Sequence, residues 1–141
     1  MLRSDKTASF LGLEHAPRDE LGWARLLQAG LPSQVVDGLA EALGWTREKL
    51  ARTLDLVPRN LARRLAKSEL LTTPESERML RVARVLARAS EVLEGDAKAK
   101  TWIEQGSVAL GGETPIGLLR TDIGTEVVLH ELTKIDHGMW P

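Results

Sequence analysis

The chain has 141 residues, of which 43% are hydrophobic and 28% charged, and its formal net charge is −1. This length and composition are typical of a soluble globular fold and exclude a disordered chain. The absence of cysteine excludes disulfides, thiolate metal sites and cysteine nucleophiles, and no apolar run approaches the roughly 20 residues that cross a bilayer. We therefore expect a cytoplasmic protein without membrane contact.

The first part of the chain predicts an arm followed by two short helices. Residues 1–18 mix small and polar side chains around one short apolar patch, and we expect them to form a flexible arm. The apolar spacing of residues 21–28 predicts a helix that Gly30 ends. Pro32 favours the start of a second helix, because proline is tolerated in the first turn, and Gly44 is expected to end it.

Two further helices with a tight turn between them are predicted at residues 46–67. Thr46 is a suitable N-cap for the first, and Pro58 opens the second. A helix-turn-helix needs a small residue in its first helix, a turn residue that tolerates unusual backbone angles, and apolar anchors on both helices. Ala51 and Asp55 meet the first two needs, since aspartate enters the left-handed region more readily than most residues. The expected anchors are Leu50, Leu54, Leu56 and Leu61.

The same segment concentrates positive charge in a nearly neutral chain. Residues 45–67 contain seven basic side chains and two acidic ones, which favours contact with nucleic acid. Because Arg and Asn pair with base edges in the major groove, four residues of the second helix are expected to read bases: Arg59, Asn60, Arg63 and Lys67. Four others are expected to contact phosphates: Arg47, Lys49, Arg52 and Arg64. The alternative is that these residues form an ordinary solvated face of a helical bundle.

A long helix is predicted next. Thr73, Pro74 and Glu75 give a cap, a first-turn proline and an acid in succession, and the helix should run to about Leu93. At helical spacing its apolar residues share one broad face, and four arginines gather on the opposite face: Arg78, Arg81, Arg84 and Arg88. We expect that arginine face to be solvated or to contact a partner protein, and the likeliest domain boundary to lie at residues 68–73.

The remaining elements complete an all-α fold. Gly95 and Asp96 interrupt the long helix before a short one through Trp102, a glycine-rich loop follows, and a last helix is predicted from Asp122 to Ile135. No segment alternates apolar and polar residues over the length that a strand needs. The fold class is therefore all-α, with a helix-turn-helix domain followed by a small helical domain.

No residue pattern in the chain points to catalysis or to a metal. His130 and His137, with Glu126 one turn before His130, could be drawn as a metal site, but the two histidines have no third strong ligand. The glycines at 111 and 112 lack the lysine and hydroxyl residue of a phosphate cradle and follow no strand. We expect no catalytic residue, no metal and no cofactor.

The C-terminal block resembles a known family. The matching segments are Trp102, the loop 109–115 (Ala-Leu-Gly-Gly-Glu-Thr-Pro), residues 118–121 (Leu-Leu-Arg-Thr) with Gly124, and residues 135–138 (Ile-Asp-His-Gly). They resemble the toxin-binding module of the Xre-type antitoxins of RES/Xre toxin-antitoxin systems, which is shared with the MbcA and ParS groups. The long helix and the helix-turn-helix before it are also similar to this family, so the resemblance covers about residues 20–141.

After the flexible arm expected at 1–18, the resemblance implies a DNA-binding domain at 19–70 and a toxin-binding domain at 71–141. It implies a homodimer that is not an enzyme, that represses its own operon by binding operator DNA, and that inhibits a RES-type toxin which consumes or transfers from NAD. In such pairs the C-terminal end of the antitoxin plugs the active site of the toxin. On this chain the implied toxin contacts are Leu132, Ile135, His137, Met139, Trp140 and Pro141.

Three alternatives remain open from the sequence. The chain could be a free-standing transcriptional regulator without a toxin partner. The helix-turn-helix could have lost DNA binding and serve dimerisation alone. Trp140 could fold back onto its own helix instead of entering a partner, although tryptophan is a favoured anchor at interfaces.

Overall fold

The computed structural model describes residues 4–138, and within that range the regular structure is helical, which confirms the all-α prediction. Its elements are α1 (Ser4–Phe10), α2 (Glu20–Ala29), α3 (Gln34–Leu43), α4 (Arg47–Thr53), α5 (Pro58–Lys67), α6 (Thr73–Leu93), α7 (Asp96–Ile103), a 3₁₀ turn (Val108–Leu110), α8 (Pro115–Leu118) and α9 (Asp122–Asp136).

Local capping chemistry sets where these helices begin. The hydroxyl of Thr46 accepts the N–H of Lys49 at 3.0 Å, as expected of an N-cap at the start of α4. The hydroxyl of Thr121 accepts the N–H of Gly124 in the same way at 3.0 Å and starts α9. The long helix begins one residue earlier than predicted, because Thr72 is its N-cap and forms a capping box with Glu75.

Helix α6 is the central element of the fold. It contacts α1, α2, α3, α7 and α9, so apolar residues are buried on most of its circumference. The prediction that one side of this helix is solvated was therefore wrong. The side chains of Arg81 and Arg88 are only 15% and 18% exposed, and they form ion pairs with Asp122 and Asp136 of α9. These arginines attach α9 to the centre of the molecule.

The expectation of a flexible arm is wrong for residues 4–11. They form α1 and the turn after it, with Ala8, Phe10 and Leu11 buried against the core. The hydroxyl of Ser4 accepts a hydrogen bond from the indole N–H of Trp23 at 3.0 Å, which fastens α1 to α2. A helix of seven residues is too short for its apolar spacing to be recognised in the sequence.

Within residues 4–138, none of the helices combines the length and the apolar character needed to cross a membrane.

Candidate functional surfaces

Helices α4 and α5 form the predicted helix-turn-helix. Asp55 adopts the left-handed conformation in the turn, with φ of 58°. Ala51 is fully buried, as are the anchors Leu50, Leu54 and Leu61, and Leu56 is partly buried against the core. Arg78 of α6 donates a hydrogen bond to the carbonyl oxygen of Asp55 at 2.8 Å, so the central helix holds the turn in place.

The exposed face of α5 carries a row of basic side chains. Arg59, Arg63 and Lys67 are exposed and lie four residues apart, which places them in one row along the helix. None of the three forms an ion pair with a residue in the range 4–138. Asn60 is half-buried beside this row, and its carbonyl oxygen accepts a hydrogen bond from Arg63 at 3.4 Å. We call Arg59, Arg63 and Lys67 the basic row.

The predicted phosphate-contacting residues of α4 are exposed but already paired. Both oxygens of the Asp37 carboxylate accept hydrogen bonds from Arg47 at 3.0 Å, and this interaction raises the pKa of Arg47 above its ordinary value. Arg52 pairs with Glu48 at 3.0 Å. The ammonium group of Lys49 lies 4.4 Å from the centre of the Trp45 ring. Each of these pairs lies at the surface, where water screens it and a phosphate can compete for the cation.

Arg64 does not belong to the exposed basic surface. Its side chain is 16% exposed, and its Nε lies 2.8 Å from a carboxylate oxygen of Glu75, whose side chain is 10% exposed. The side chain points towards the start of α6, in a position where this motif often has an apolar anchor, so it is not available to a phosphate. Arg64 is therefore a structural residue, and the prediction of a phosphate contact was wrong for it.

The predicted toxin contacts on α9 divide into buried and exposed residues. Leu132 is fully buried and Ile135 is 6% exposed, so both belong to the core, and the expectation that they face a partner was wrong. The apolar face that they share packs within the chain itself. His137 is exposed at the end of α9. The remaining predicted contacts, Met139, Trp140 and Pro141, lie outside the described residues.

A second apolar face of α9 was not predicted. Ile123 and Val127 are 69% and 46% exposed, and Val108 of the 3₁₀ turn is 94% exposed. A groove of about 420 Å³ lies between α9 and this turn. Its lining residues are Ala109, Leu110, Ile123, Glu126, Val127, His130, Glu131 and Lys134. The signal in the sequence was that apolar residues occupy more than one face of the last predicted helix. Among residues 4–138, no group of three acidic, His or Cys side chains is placed to hold a metal ion.

Comparison with known proteins agrees with this arrangement. Residues 22–84 match the family model of the antitoxin Xre-like helix-turn-helix domain, and residues 88–138 match that of the antitoxin Xre/MbcA/ParS C-terminal toxin-binding domain. The two ranges meet inside α6, whereas the sequence analysis placed the division at residues 70 and 71.

Three curated proteins are similar over most of the chain. One from Photorhabdus laumondii, named Antitoxin Xre, is 30% identical over 81% of this chain and 78% of its own length. One of the same name from Yersinia enterocolitica is 29% identical over the same shares. A protein from Sphingobium named Prs ADP-ribosylating antitoxin is 26% identical over 87% of this chain and 81% of its own length.

The fold and these matches define a helix-turn-helix protein that carries a C-terminal toxin-binding domain. The chain belongs to the Xre antitoxin family.

Proposed function

We propose that this chain inhibits a RES-type toxin that consumes or transfers from NAD, that its C-terminal end covers the active site of that toxin, and that it represses its own operon as a homodimer. The observation that carries the proposal is the presence of two different surfaces in the two matched ranges. One is the basic row on α5, and the other is the exposed apolar face of α9. The name of the Sphingobium relative includes ADP-ribosylation, a reaction that uses NAD, which supports a toxin of this class.

Co-expression with the toxin encoded beside this gene tests the inhibitory half of the proposal. The toxin alone is expected to lower cellular NAD and stop growth, whereas the pair is expected to grow and to co-purify as a tight complex. A variant with Arg59 and Arg63 both replaced by alanine is the matched control, because these residues are exposed on α5 and should leave protection intact. Growth arrest in the presence of the wild-type chain, with no complex recovered, would reject the proposal.

Removal of Met139–Pro141 tests the proposed role of the C-terminal end. We expect the shortened chain to bind the toxin more weakly and to protect NAD less well, because tryptophan is a frequent anchor at protein interfaces. The measurement is NAD hydrolysis by the purified toxin against increasing antitoxin. Full inhibition by the shortened chain would refute occlusion by these residues and would leave the antitoxin function standing.

The DNA-binding half predicts different effects for two arginines. Arg63→Ala removes a side chain of the basic row that forms no ion pair within residues 4–138, and binding to the operator is expected to weaken by about 1–3 kcal/mol with a smaller loss on random DNA. Arg52→Ala removes a proposed phosphate contact, so binding to the operator and to random DNA should weaken alike. The slope of the logarithm of the binding constant against the logarithm of the salt concentration should decrease in magnitude by about one.

Fluorescence anisotropy with the promoter of the operon and with a random duplex, at several salt concentrations, measures both effects. Equal losses on the two DNAs for both variants would reject the assignment of base-reading and phosphate-contacting residues. Sedimentation of the free chain measures the proposed dimer, which matters because helix-turn-helix dimers bind half-sites about one helical turn apart.

A further inference from the structure

Helix α9 exposes apolar side chains on the side that faces away from the core. Ile123 and Val127 lie four residues apart and therefore share one face of the helix. Val108 is the first residue of the 3₁₀ turn, and the two residues after it, Ala109 and Leu110, line the groove between this turn and α9. Isolated exposed apolar residues are common, but a cluster beside a groove is typical of a surface that binds another protein.

The groove also contains the side chain of a mostly buried acid. Glu131 is only 5% exposed and lines the groove, yet it forms no hydrogen bond or ion pair with any other residue in the range 4–138. Its carboxylate oxygens are not among the fully buried polar atoms of that range, so a hydrogen-bond donor or a cation can reach them from the groove. Glu126 adds a second negative charge to the lining, and His130 and Lys134 are the basic groups there. Glu131 is the most deeply placed of these four side chains, so its carboxylate can accept a hydrogen bond from a basic side chain that enters the groove.

We propose that this groove is a docking site for the cognate toxin. An apolar side chain of the toxin packs against Ile123 and Val127, and a basic side chain next to it reaches the Glu131 carboxylate. This inference rests on the proposed function, because it assigns a surface for the toxin that the chain is proposed to inhibit.

Two observations favour the toxin over a second copy of this chain. The residues that line the groove all lie within 88–138, the range that matches a toxin-binding domain. The groove also extends along α9 from Ile123 to Lys134, two residues before the helix ends, and the residues proposed to enter the toxin follow soon after in the sequence. The groove then extends the contact away from the active site of the toxin.

Calorimetric titration of the full-length chain with the purified toxin encoded beside its gene tests this site. Ile123→Asp and Val127→Asp are each expected to weaken binding by about 30-fold or more, as for central anchors of an interface. Glu131→Gln keeps the shape of the side chain but removes its charge. It is expected to weaken binding about 10-fold and to make binding less sensitive to salt. Leu21→Asp is the matched control, because Leu21 is 57% exposed on α2 and lies outside the toxin-binding range.

The Ile123→Asp variant distinguishes an effect on toxin binding from an effect on folding. Position 123 lies in the first turn of α9, where a carboxylate interacts favourably with the helix dipole, so Ile123→Asp should keep the thermal midpoint of the wild type.

If the wild-type chain binds and both aspartate variants bind equally well, the docking site is refuted and the antitoxin function stands. If the wild-type chain does not bind, the proposed function fails and the docking site fails with it. If the variants lose self-association but keep toxin affinity, the groove belongs to a second copy and the inference is overturned.

Discussion

Replacing Glu75 with alanine is expected to lower the free energy of unfolding by about 3 kcal/mol. One carboxylate oxygen of Glu75 accepts the N–H of Thr72 at 2.8 Å and lies 2.8 Å from Nε of Arg64. The substitution therefore removes half of the capping box of α6 and leaves the guanidinium of Arg64 nearly buried. The carboxylate of Glu69 then remains near Arg64, at 3.5 Å and closer to solvent. A nearly buried charge that loses its closest partner is more costly than the pair was worth.

Urea denaturation followed by circular dichroism measures this loss. Glu77→Ala is the matched control, because Glu77 lies on the same helix, is 48% exposed and approaches Arg81 only at 4.0 Å. The Glu77→Ala substitution should lower the free energy of unfolding by less than about 1 kcal/mol, because a surface ion pair contributes no more than that. Adding Arg64→Met to Glu75→Ala should restore part of the stability, since the nearly buried charge that lost its closest partner is then removed. Equal stabilities of the Glu75→Ala and Glu77→Ala proteins would contradict the central role of this pair.

Alanine at Gly124 is expected to lower the free energy of unfolding by about 2–3 kcal/mol. Gly124 is buried in the first turn of α9, and a Cβ atom there would lie 2.0 Å from the carbonyl oxygen of Leu118. Backbone atoms cannot rotate away as the end of a side chain can, so the start of α9 would have to move away from α8. Because Ile123 and Val127 lie on that part of α9, the affinity for the toxin should decrease as well.

Thermal unfolding measures this effect, with an expected decrease of roughly 8 °C in the midpoint. Gly95→Ala is the control, since a Cβ atom at Gly95 would have its nearest neighbour at 3.9 Å and the extended backbone there suits any residue. Gly95 is the N-cap of α7, where glycine is preferred to alanine, so this substitution should lower the free energy of unfolding by about 1 kcal/mol or less. A Gly124→Ala protein as stable as the Gly95→Ala protein would show that α8 and α9 do not approach so closely in solution.

The features that could be predicted from the sequence are the local ones, which depend on residues adjacent in the chain. The N-cap at Thr46, the first-turn proline at Pro58 and the left-handed turn residue Asp55 are effects of adjacent chemistry, and each was found as expected. The partners of the arginines on α6 are distant instead. Arg81 and Arg88 pair with aspartates that lie 41 and 48 residues further along the chain. Amphipathic spacing shows that a helix has a polar face but not that another helix covers it with acids.

The same limit applies to the candidate site. The spacing of Arg59, Arg63 and Lys67 predicted the three residues of the exposed basic row, but the sequence could not show that Arg64 turns inward to the start of α6. On α9, Leu132 and Ile135 were assigned to a partner and are buried in the chain, whereas Ile123 and Val127 are the exposed apolar residues. An apolar side chain on a helix has the same appearance in a sequence whether it packs within its own chain or remains available to another protein.

The position of α6 restricts how this protein can exchange parts with its relatives. The helix begins in one matched range and ends in the other, and its buried residues contact elements from both. A gene fragment cut between residues 84 and 88 would produce two pieces, each with an apolar surface of this helix or its neighbours open to water. Exchange of either matched domain by recombination therefore requires a new half whose portion of α6 fits the retained half, so that the two domains are inherited together more readily than apart.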